Sequence, residues 1–258
     1  MAPTCLLVTN DDGHQAPGLK ALAEAVAPFG EVWVVAPESE QSAASHAISL
    51  QRPLRIREVA PRWYAVDGTP TDCSYVAINH LLKDHPPALV VSGINRGPNL
   101  ADDVFYSGTV AAAMEAAIFG VPAIAFSLAG RGDHDFAPAA RFARRLVEAA
   151  LGEALPRDLL LNVNVPAEIE PDTYVVTRLG RHRYATEVVE KVDPRGRKYY
   201  WIGGSEYDYE SIPGTDCYVV FHERRVSVTP LQRDLTDYRL RPEVARWQIK
   251  GYTRVEEG

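Results

Sequence analysis

The sequence predicts an α/β protein, a three-layer Rossmann-like fold around a mostly parallel sheet, with a C-terminal β-hairpin extension. Three observations predict it. Short apolar runs alternate with segments of helical spacing over the first two thirds of the chain. Those runs stop abruptly at Gly, Pro, Asn or Asp, as buried strands do. Beyond Pro166 the helical spacing disappears, and short alternating segments separated by turn formers replace it. Residues 1–166 therefore read as the Rossmann-like core. Residues 167–258 read as a hairpin and oligomerisation region packed on that core within one domain.

Cys5 to Thr9 is the first strand, β-branched at Val8 and Thr9 and closed by Asn10-Asp11-Asp12-Gly13. From Pro17, Leu19, Leu22, Ala23 and Val26 recur at helical spacing. Glu31 to Ala36 is the second strand, ended by Pro37. Ile48 to Val66 turns short and extended, a small antiparallel excursion. Thr69 to Leu82 reads as a helix with Cys73, Val76, Ala77 and Leu81 on one face, opened by a cap and an early proline. Ala88 to Ser92 is a buried strand, followed by a polar, glycine-bearing stretch. Val110 to Phe119 reads as a helix of small apolar residues against the sheet, Val121 to Ser127 as a strand, and Phe136 to Leu151 as an amphipathic helix. Leu159 to Val165 closes the regular region. Strands separated by helices of this length imply right-handed crossovers. Tyr174 to Thr177, Lys198 to Ile202, Tyr218 to Phe221 and Val226 to Thr229 are read as hairpin strands. Asp193-Pro194, Gly203-Gly204 and Pro213-Gly214 are the turns between them.

Composition narrows the function classes. A chain of 258 residues with 46% apolar residues can bury a sizeable core. Its net charge of −7 argues against polymeric nucleic acid as an obligate partner, which demands a basic surface. The first apolar run is too short for a signal core or a membrane span, so a cytoplasmic protein without a membrane partner is expected. Cys5, Cys73 and Cys217 are dispersed and odd in number, which suits reduced thiols. No base accompanies Cys73 in the pattern, which leaves it a weak nucleophile candidate.

Four segments follow predicted strand ends and so gather on one rim of the sheet, where open α/β sheets hold ligands. They are 10–13, 37–46, 92–99 and 107–109. Adjacent carboxylates such as Asp11 and Asp12 repel unless a cation or proton lies between them. Oxygen-only donors favour a hard ion such as Mg²⁺ or Mn²⁺. Asn95 and Asn99 can each offer a carbonyl to a metal or an amide to phosphate, and Ser42 can offer a hydroxyl. Ser107-Gly108-Thr109 opens a helix at the positive end of its dipole, a natural phosphate seat. Each motif alone is also ordinary turn or cap chemistry. Their joint occurrence is what points to phosphate chemistry. His46 is the candidate for proton delivery to a leaving group. Phe105 and Tyr106 read as core aromatics rather than as platforms for a base.

The blocks VTNDDG, APGLKALAEA, VVAPESEQSAASH, DGTPTDC, VVSGINRGPNLADDVFYSGTVAAAMEA and GVPAIAFSL, from about Leu6 to Leu128, together resemble the SurE family of metal-dependent survival-protein nucleotidases. GTDCYVVFHERRVSVTPLQRDLT resembles that family's C-terminal block. The resemblance implies a cytoplasmic phosphomonoesterase acting on nucleoside monophosphates (5′- and also 3′-nucleotides) through a metal-activated water. It also implies one divalent ion, Mg²⁺ or Mn²⁺, per subunit. Asp11, Asp12, Ser42 and Asn95 would be the metal ligands, with Asp11 and Asp12 catalytic. Asn99, Ser107, Gly108 and Thr109 would bind phosphate. A homodimer or homotetramer through the C-terminal hairpins is implied as well. Some positions depart from the family pattern. The loop usually written SG-x-GH-S here reads Ser42-Ala43-Ala44-Ser45-His46-Ala47. Ala101 stands where glycine is usual, and Pro213 where an acidic residue is typical. Two other readings stay open, a phosphatase with an aspartyl-phosphate intermediate and a module that senses nucleotides without cleaving them.

Overall fold

β1 (Cys5–Thr9) is the strand about which the sheet is organised. The computed structural model describes residues 4–130, 135–168, 173–183, 188–202 and 208–255. After β1 come α1 (Pro17–Val26), β2 (Glu31–Pro37), β3 (Ile56–Ala60), β4 (Trp63–Val66), α2 (Pro70–Val76) and β5 (Leu89–Arg96). Then follow α3 (Gly108–Ile118), β6 (Ala123–Ala129), α4 (Ala137–Leu151), β7 (Leu160–Pro166) and β8 (Tyr174–Val176). The chain continues through β9 (Val188–Val192), β10 (Lys198–Ile202), α5 (Asp216–Phe221), β11 (Val226–Pro230) and α6 (Arg241–Val244). Among the described residues, a nine-stranded sheet runs in the order β3-β4-β2-β1-β5-β6-β7-β11-β8. From β4 to β7 every neighbouring pair is parallel, and β3 is antiparallel to β4. Strand order reverses between β1 and β5, which opens a crevice beyond their carboxyl ends.

The two-residue period of β1 explains its unbroken apolar run. Leu6 and Val8 join one buried cluster with Leu19, Leu22, Phe126 and Val147, under α1 and α4. Cys5 and Leu7 join the opposite cluster with Cys73, Val90, Val110 and Ala113, under α2 and α3. A strand covered on both faces leaves little room for polar side chains, and the one in β1, Thr9, stands at its carboxyl end opposite Ser92 of β5. α3 is buried nearly all round, and its alanines let it lie close to the strands. The predicted helix 69–82 begins with a capping box between Thr69 and Asp72 and widens after Val76 into a π-type stretch, Ala77–Leu81.

The structure corrects three expectations, two of them in the C-terminal half. The segments at Tyr174–Thr177 and Val226–Thr229 are not hairpin strands beyond a closed regular region: β11 pairs antiparallel with β7 and β8 lies parallel to β11, so both extend the central sheet past Leu160–Pro166. Tyr218–Phe221 is not extended but belongs to helix α5. Thr215 caps that helix, its hydroxyl accepting from the Tyr218 amide, and Val219 and Val220 are both buried. The excursion after Ile48 becomes strand only from Ile56, where β3 pairs with β4. The hairpin that does project is β9–β10, whose Asp193 carboxylate accepts from the Arg195 and Arg197 amides to form the turn. The Gly203-Gly204 turn lies outside the described residues.

Candidate active site

The rim expectation holds. A cleft of about 270 Å³ beyond β1 and β5 is lined by Asp11, Asp12, Glu40, Ser42, Ala43, Asn95, Arg96, Asn99, Asp103, Tyr106 and Ser107. All four rim segments contribute. Asp11 leaves β1 into the interior and is 6% exposed. Its Oδ1 accepts the hydroxyl hydrogen of Thr109, itself wholly buried in the first turn of α3. Asp12 Oδ2 accepts from the Arg96 amide at 3.4 Å. Burial raises the Asp11 carboxyl above its ordinary value, and the Thr109 hydroxyl acts against that shift. Burial, and then the charge of Asp11, push Asp12 up to about 6. Among the described residues the remaining cleft charges are Glu40, Asp103 and Arg96, an acidic balance.

Ser42 Oγ donates to Glu40 Oε1 at 2.7 Å. Asn95 sits near the end of β5 and spends its amide nitrogen on the Gly97 carbonyl at 2.9 Å, which leaves its side-chain oxygen as a donor atom for a cation. Asn99 is fixed in place. Its side-chain amide donates to Ser127 Oγ at 2.8 Å, and its backbone carbonyl accepts from Asn162 at 2.7 Å and Asn164 at 3.0 Å. Ser107 caps α3, accepting from the Val110 amide at 3.1 Å, so the cap and the cleft wall are the same residue. Gly108 is pressed against the acid pair: a Cβ there would lie 2.8 Å from Asp11 Cβ and 2.9 Å from Pro70 Cγ. Only a residue without a side chain lets α3 begin so near Asp11.

Among the described residues no three His, Cys, Asp or Glu side chains are grouped to hold a metal. A cation here must therefore take oxygen from Ser and Asn as well as from the two carboxylates. The donor set Asp11, Asp12, Ser42 and Asn95 fits a hard divalent ion in that sense, with two desolvated carboxylates that positive charge would stabilise in ionised form.

His46 is not among the residues that line the cleft; its Nε2 lies 2.7 Å from Glu115 Oε2 on α3. Phe105 and Tyr106 are not core residues. They are 54% and 57% exposed, and Tyr106 borders the cleft. Glu40, Arg96 and Asp103 went unnoticed in the sequence as cleft residues. The only available signal was that each falls inside a rim loop or its direct continuation. Asp103 Oδ1 lies 2.7 Å from His182 Nδ1, and its Oδ2 accepts from the Tyr209 hydroxyl at 2.7 Å. Sequence separation hides such a network. Cys73 is fully buried with its thiol pushed well up by desolvation, which removes it as a nucleophile. The positions where the family pattern has glycine all keep a left-handed backbone here: Ala43, Ser45 and Ala101 sit at φ 57°, 55° and 52°, while Ala44 falls on the variable position between the first two.

Residues 6–186 match the family model described as Survival protein SurE. The chain is 66% identical over 254 residues to the 5′-nucleotidase SurE of Myxococcus xanthus, covering 98% of this chain and 97% of that protein. It is 57% identical over 250 residues to the 5′-nucleotidase SurE of Anaeromyxobacter dehalogenans, with 96% and 98% covered. The crystal structure of the SurE protein from Aquifex aeolicus superposes with a TM-score of 0.83 at 41% identity, covering 93% of this chain and 98% of that one.

Proposed function

The chain belongs to the SurE survival-protein family, and on that premise we propose that it is a 5′-nucleotidase hydrolysing nucleoside monophosphates to nucleoside and phosphate. The same reading includes 3′-nucleotides and one Mg²⁺ or Mn²⁺ per subunit, held by Asp11, Asp12, Ser42 and Asn95. One observation carries it: the cleft faces the N-terminus of α3 yet is lined by an excess of acid. A phosphate dianion is attracted by the helix end and repelled by Asp11, Asp12 and Glu40, so it binds only with a counter-charge in place. A divalent cation supplies that charge, lowers the pKa of a water and draws charge from the phosphoryl oxygens.

The chain's own groups do the rest. Thr109 holds Asp11 by its hydroxyl, and the Arg96 amide holds Asp12, so both carboxylates are set before any ligand arrives. Ser107, Gly108 and Thr109 bring the helix end to the phosphate oxygens. Asn99, locked by Ser127, Asn162 and Asn164, keeps the opposite wall in place without reorganisation. The dispersed free thiols, all buried, support a reducing, cytoplasmic setting. No helix among the described residues is long and apolar enough to cross a membrane. Assembly into a homodimer or homotetramer through residues 167–258 is part of the proposal. It is supported by the exposed Tyr200, Trp201 and Ile202 of β10 and by Trp247 and Tyr252 beyond α6.

A phosphate-release panel of nucleotides and generic phosphomonoesters, with Mg²⁺, Mn²⁺ or chelator, tests the reading. Expected are release from nucleoside monophosphates only with metal, solvent oxygen in the phosphate, and no turnover by folded Asp11→Asn or Asp12→Asn. Near-normal activity of Asp12→Asn in saturating Mn²⁺ would overturn the assignment. A trapped phosphoenzyme would favour the aspartyl-phosphate reading. Tight binding without release in any metal would make the chain a sensor.

A further inference from the structure

The loop that carries Ser42 has two bonds of its own, from the Ala44 amide to the Gln41 carbonyl at 3.1 Å and from the Ser42 hydroxyl to Glu40 at 2.7 Å. Ala43 and Ser45, at φ 57° and 55°, sit in the left-handed region that side chains disfavour. Ties to elements outside the loop fix where it lies. On its N-terminal side the Gln41 amide donates to the Asp11 carbonyl at 2.8 Å. On the other side Ser45 Oγ donates to the Phe105 carbonyl at 2.6 Å and the Ser45 amide to the Tyr106 carbonyl at 3.1 Å. The next residue, His46, meets Glu115 at 2.7 Å, and the Ala47 carbonyl accepts from Thr69 Oγ1 at 2.7 Å. Between these ties lie only Ser42, Ala43 and Ala44, and Ser42 faces the cleft.

Glu115 is an unusual occupant of its helix. Around it α3 is buried alanine, and the Glu115 side chain is 9% exposed. A buried carboxylate costs stability unless it is paired, and its partner here belongs to the Ser42 loop rather than to the core. Glu115 also stands about two turns along the helix that begins with Ser107, Gly108 and Thr109. One rigid element thus carries both the phosphate seat and the anchor of the loop.

We propose that Glu115 is a positioning residue that acts through His46 to set the Ser42 hydroxyl against the cation. This rests on the divalent-cation reading above. It assigns His46 to holding the loop rather than to proton delivery, since its Nε2 is engaged by Glu115 and it lies outside the cleft lining. Glycine in the loop would bend freely; Ala43 and Ser45 make the anchor necessary in this chain.

The test is Mn²⁺ binding to the full-length, metal-stripped protein, followed by electron paramagnetic resonance. The set is wild type, Glu115→Ala, Glu115→Gln, His46→Ala, Ser42→Ala and the Ser42→Ala/Glu115→Ala double variant. Glu115→Ala should weaken Mn²⁺ affinity about tenfold, the low end for a group that orients a metal ligand. Gln can still accept a hydrogen bond from His46 and should recover most of that loss. In the Ser42→Ala background, Glu115→Ala should cost less than about twofold more, because the group being positioned has gone. His46→Ala, at the more exposed end of the pair, must reproduce the loss even if Glu115→Ala does not fold. Additive losses in the double variant would overturn the inference. So would a fall in kcat at wild-type Mn²⁺ affinity, which is the signature of a proton donor. A wild-type protein that takes up no Mn²⁺ would overturn both this inference and the reading beneath it.

Discussion

Gly108→Ala should cost this protein far more activity than stability. The added Cβ would lie 2.8 Å from Asp11 Cβ, 2.9 Å from Pro70 Cγ and 3.0 Å from Asp11 Oδ2. Carbon atoms pack at about 3.5–4.0 Å, so something must move by roughly 0.5 Å or more. Neither neighbour is the free end of a flexible chain. Pro70 is the first residue of α2, and Asp11 is tied through its carbonyl to Gln41 and through its carboxylate to Thr109. Overpacking of this kind costs about 1–3 kcal/mol. Alanine recovers about 0.5–1 kcal/mol in a helix, through the entropy that glycine loses on folding. The net loss is then about 1 kcal/mol, a fall of roughly 2–4 °C in Tm for a chain of this size. Activity should suffer far more. A misplacement of about 1 Å at a reacting group costs about a hundredfold, so a shift of half that lowers kcat by about tenfold. The assay pairs thermal unfolding with nucleotide phosphate release in saturating Mn²⁺. Wild-type kcat together with an unchanged or raised Tm would refute the reasoning.

Thr109→Val keeps the shape but removes the hydroxyl that donates to buried Asp11, a loss of about 1.5–3 kcal/mol where the carboxylate stays ionised. Activity should fall at least about tenfold, and Thr109→Ser should recover it; unaffected turnover in the valine variant would show that this hydrogen bond does not matter. Because the folded-state pKa of Asp12 is raised to about 6, the folded protein binds that proton more tightly than the unfolded chain does. Asp12 should therefore lower metal-free stability as pH rises from about 4 to 6, and the loss should persist above that window. Denaturant titrations in chelator, subtracting Asp12→Asn from wild type, should show a difference that falls across it; a rising difference contradicts the shift. Mn²⁺ must displace the protons of both raised carboxyls, so apparent affinity should climb as pH rises through about 6. Gly93→Ala should prevent folding, since φ is +130° and the new Cβ would lie 2.3 Å from the Phe126 carbonyl on the neighbouring strand. Soluble protein with a near-native Tm would exclude that.

The parallel half of the fold was legible because each of its strands is buried on both faces. Cys5–Thr9 and Glu31–Pro37 are near-continuous apolar runs that no helix period explains. The helices between them announced themselves by spacing, as with Leu19, Leu22, Ala23 and Val26 of α1. The C-terminal half was less legible for a physical reason. Tyr218–Phe221 is four apolar residues, a length that suits strand and helix equally, and only the Thr215 cap with the buried Asp216 beneath it selects helix. Asp216 accepts from the Ala101, Gly180 and Cys217 amides, partners up to 115 residues away. Nothing local in the chain marks that choice. Phe105 and Tyr106 failed for a related reason, since hydrophobicity does not say which aromatics remain uncovered.

Taken alone, the sequence determined the order of the layers, the rim on which polar loops meet, and the residues Asp11, Asp12, Ser42, Asn95, Asn99 and Ser107 that line the cleft. These follow from strand ends, and strand ends are local features. The tertiary structure alone decided that Thr109 lies beneath Asp11, that Glu115 anchors His46, and that β11 turns back beside β7. Each is a pairing between groups far apart in the chain, formed because burial forces polar atoms to find partners wherever the packed layers place them.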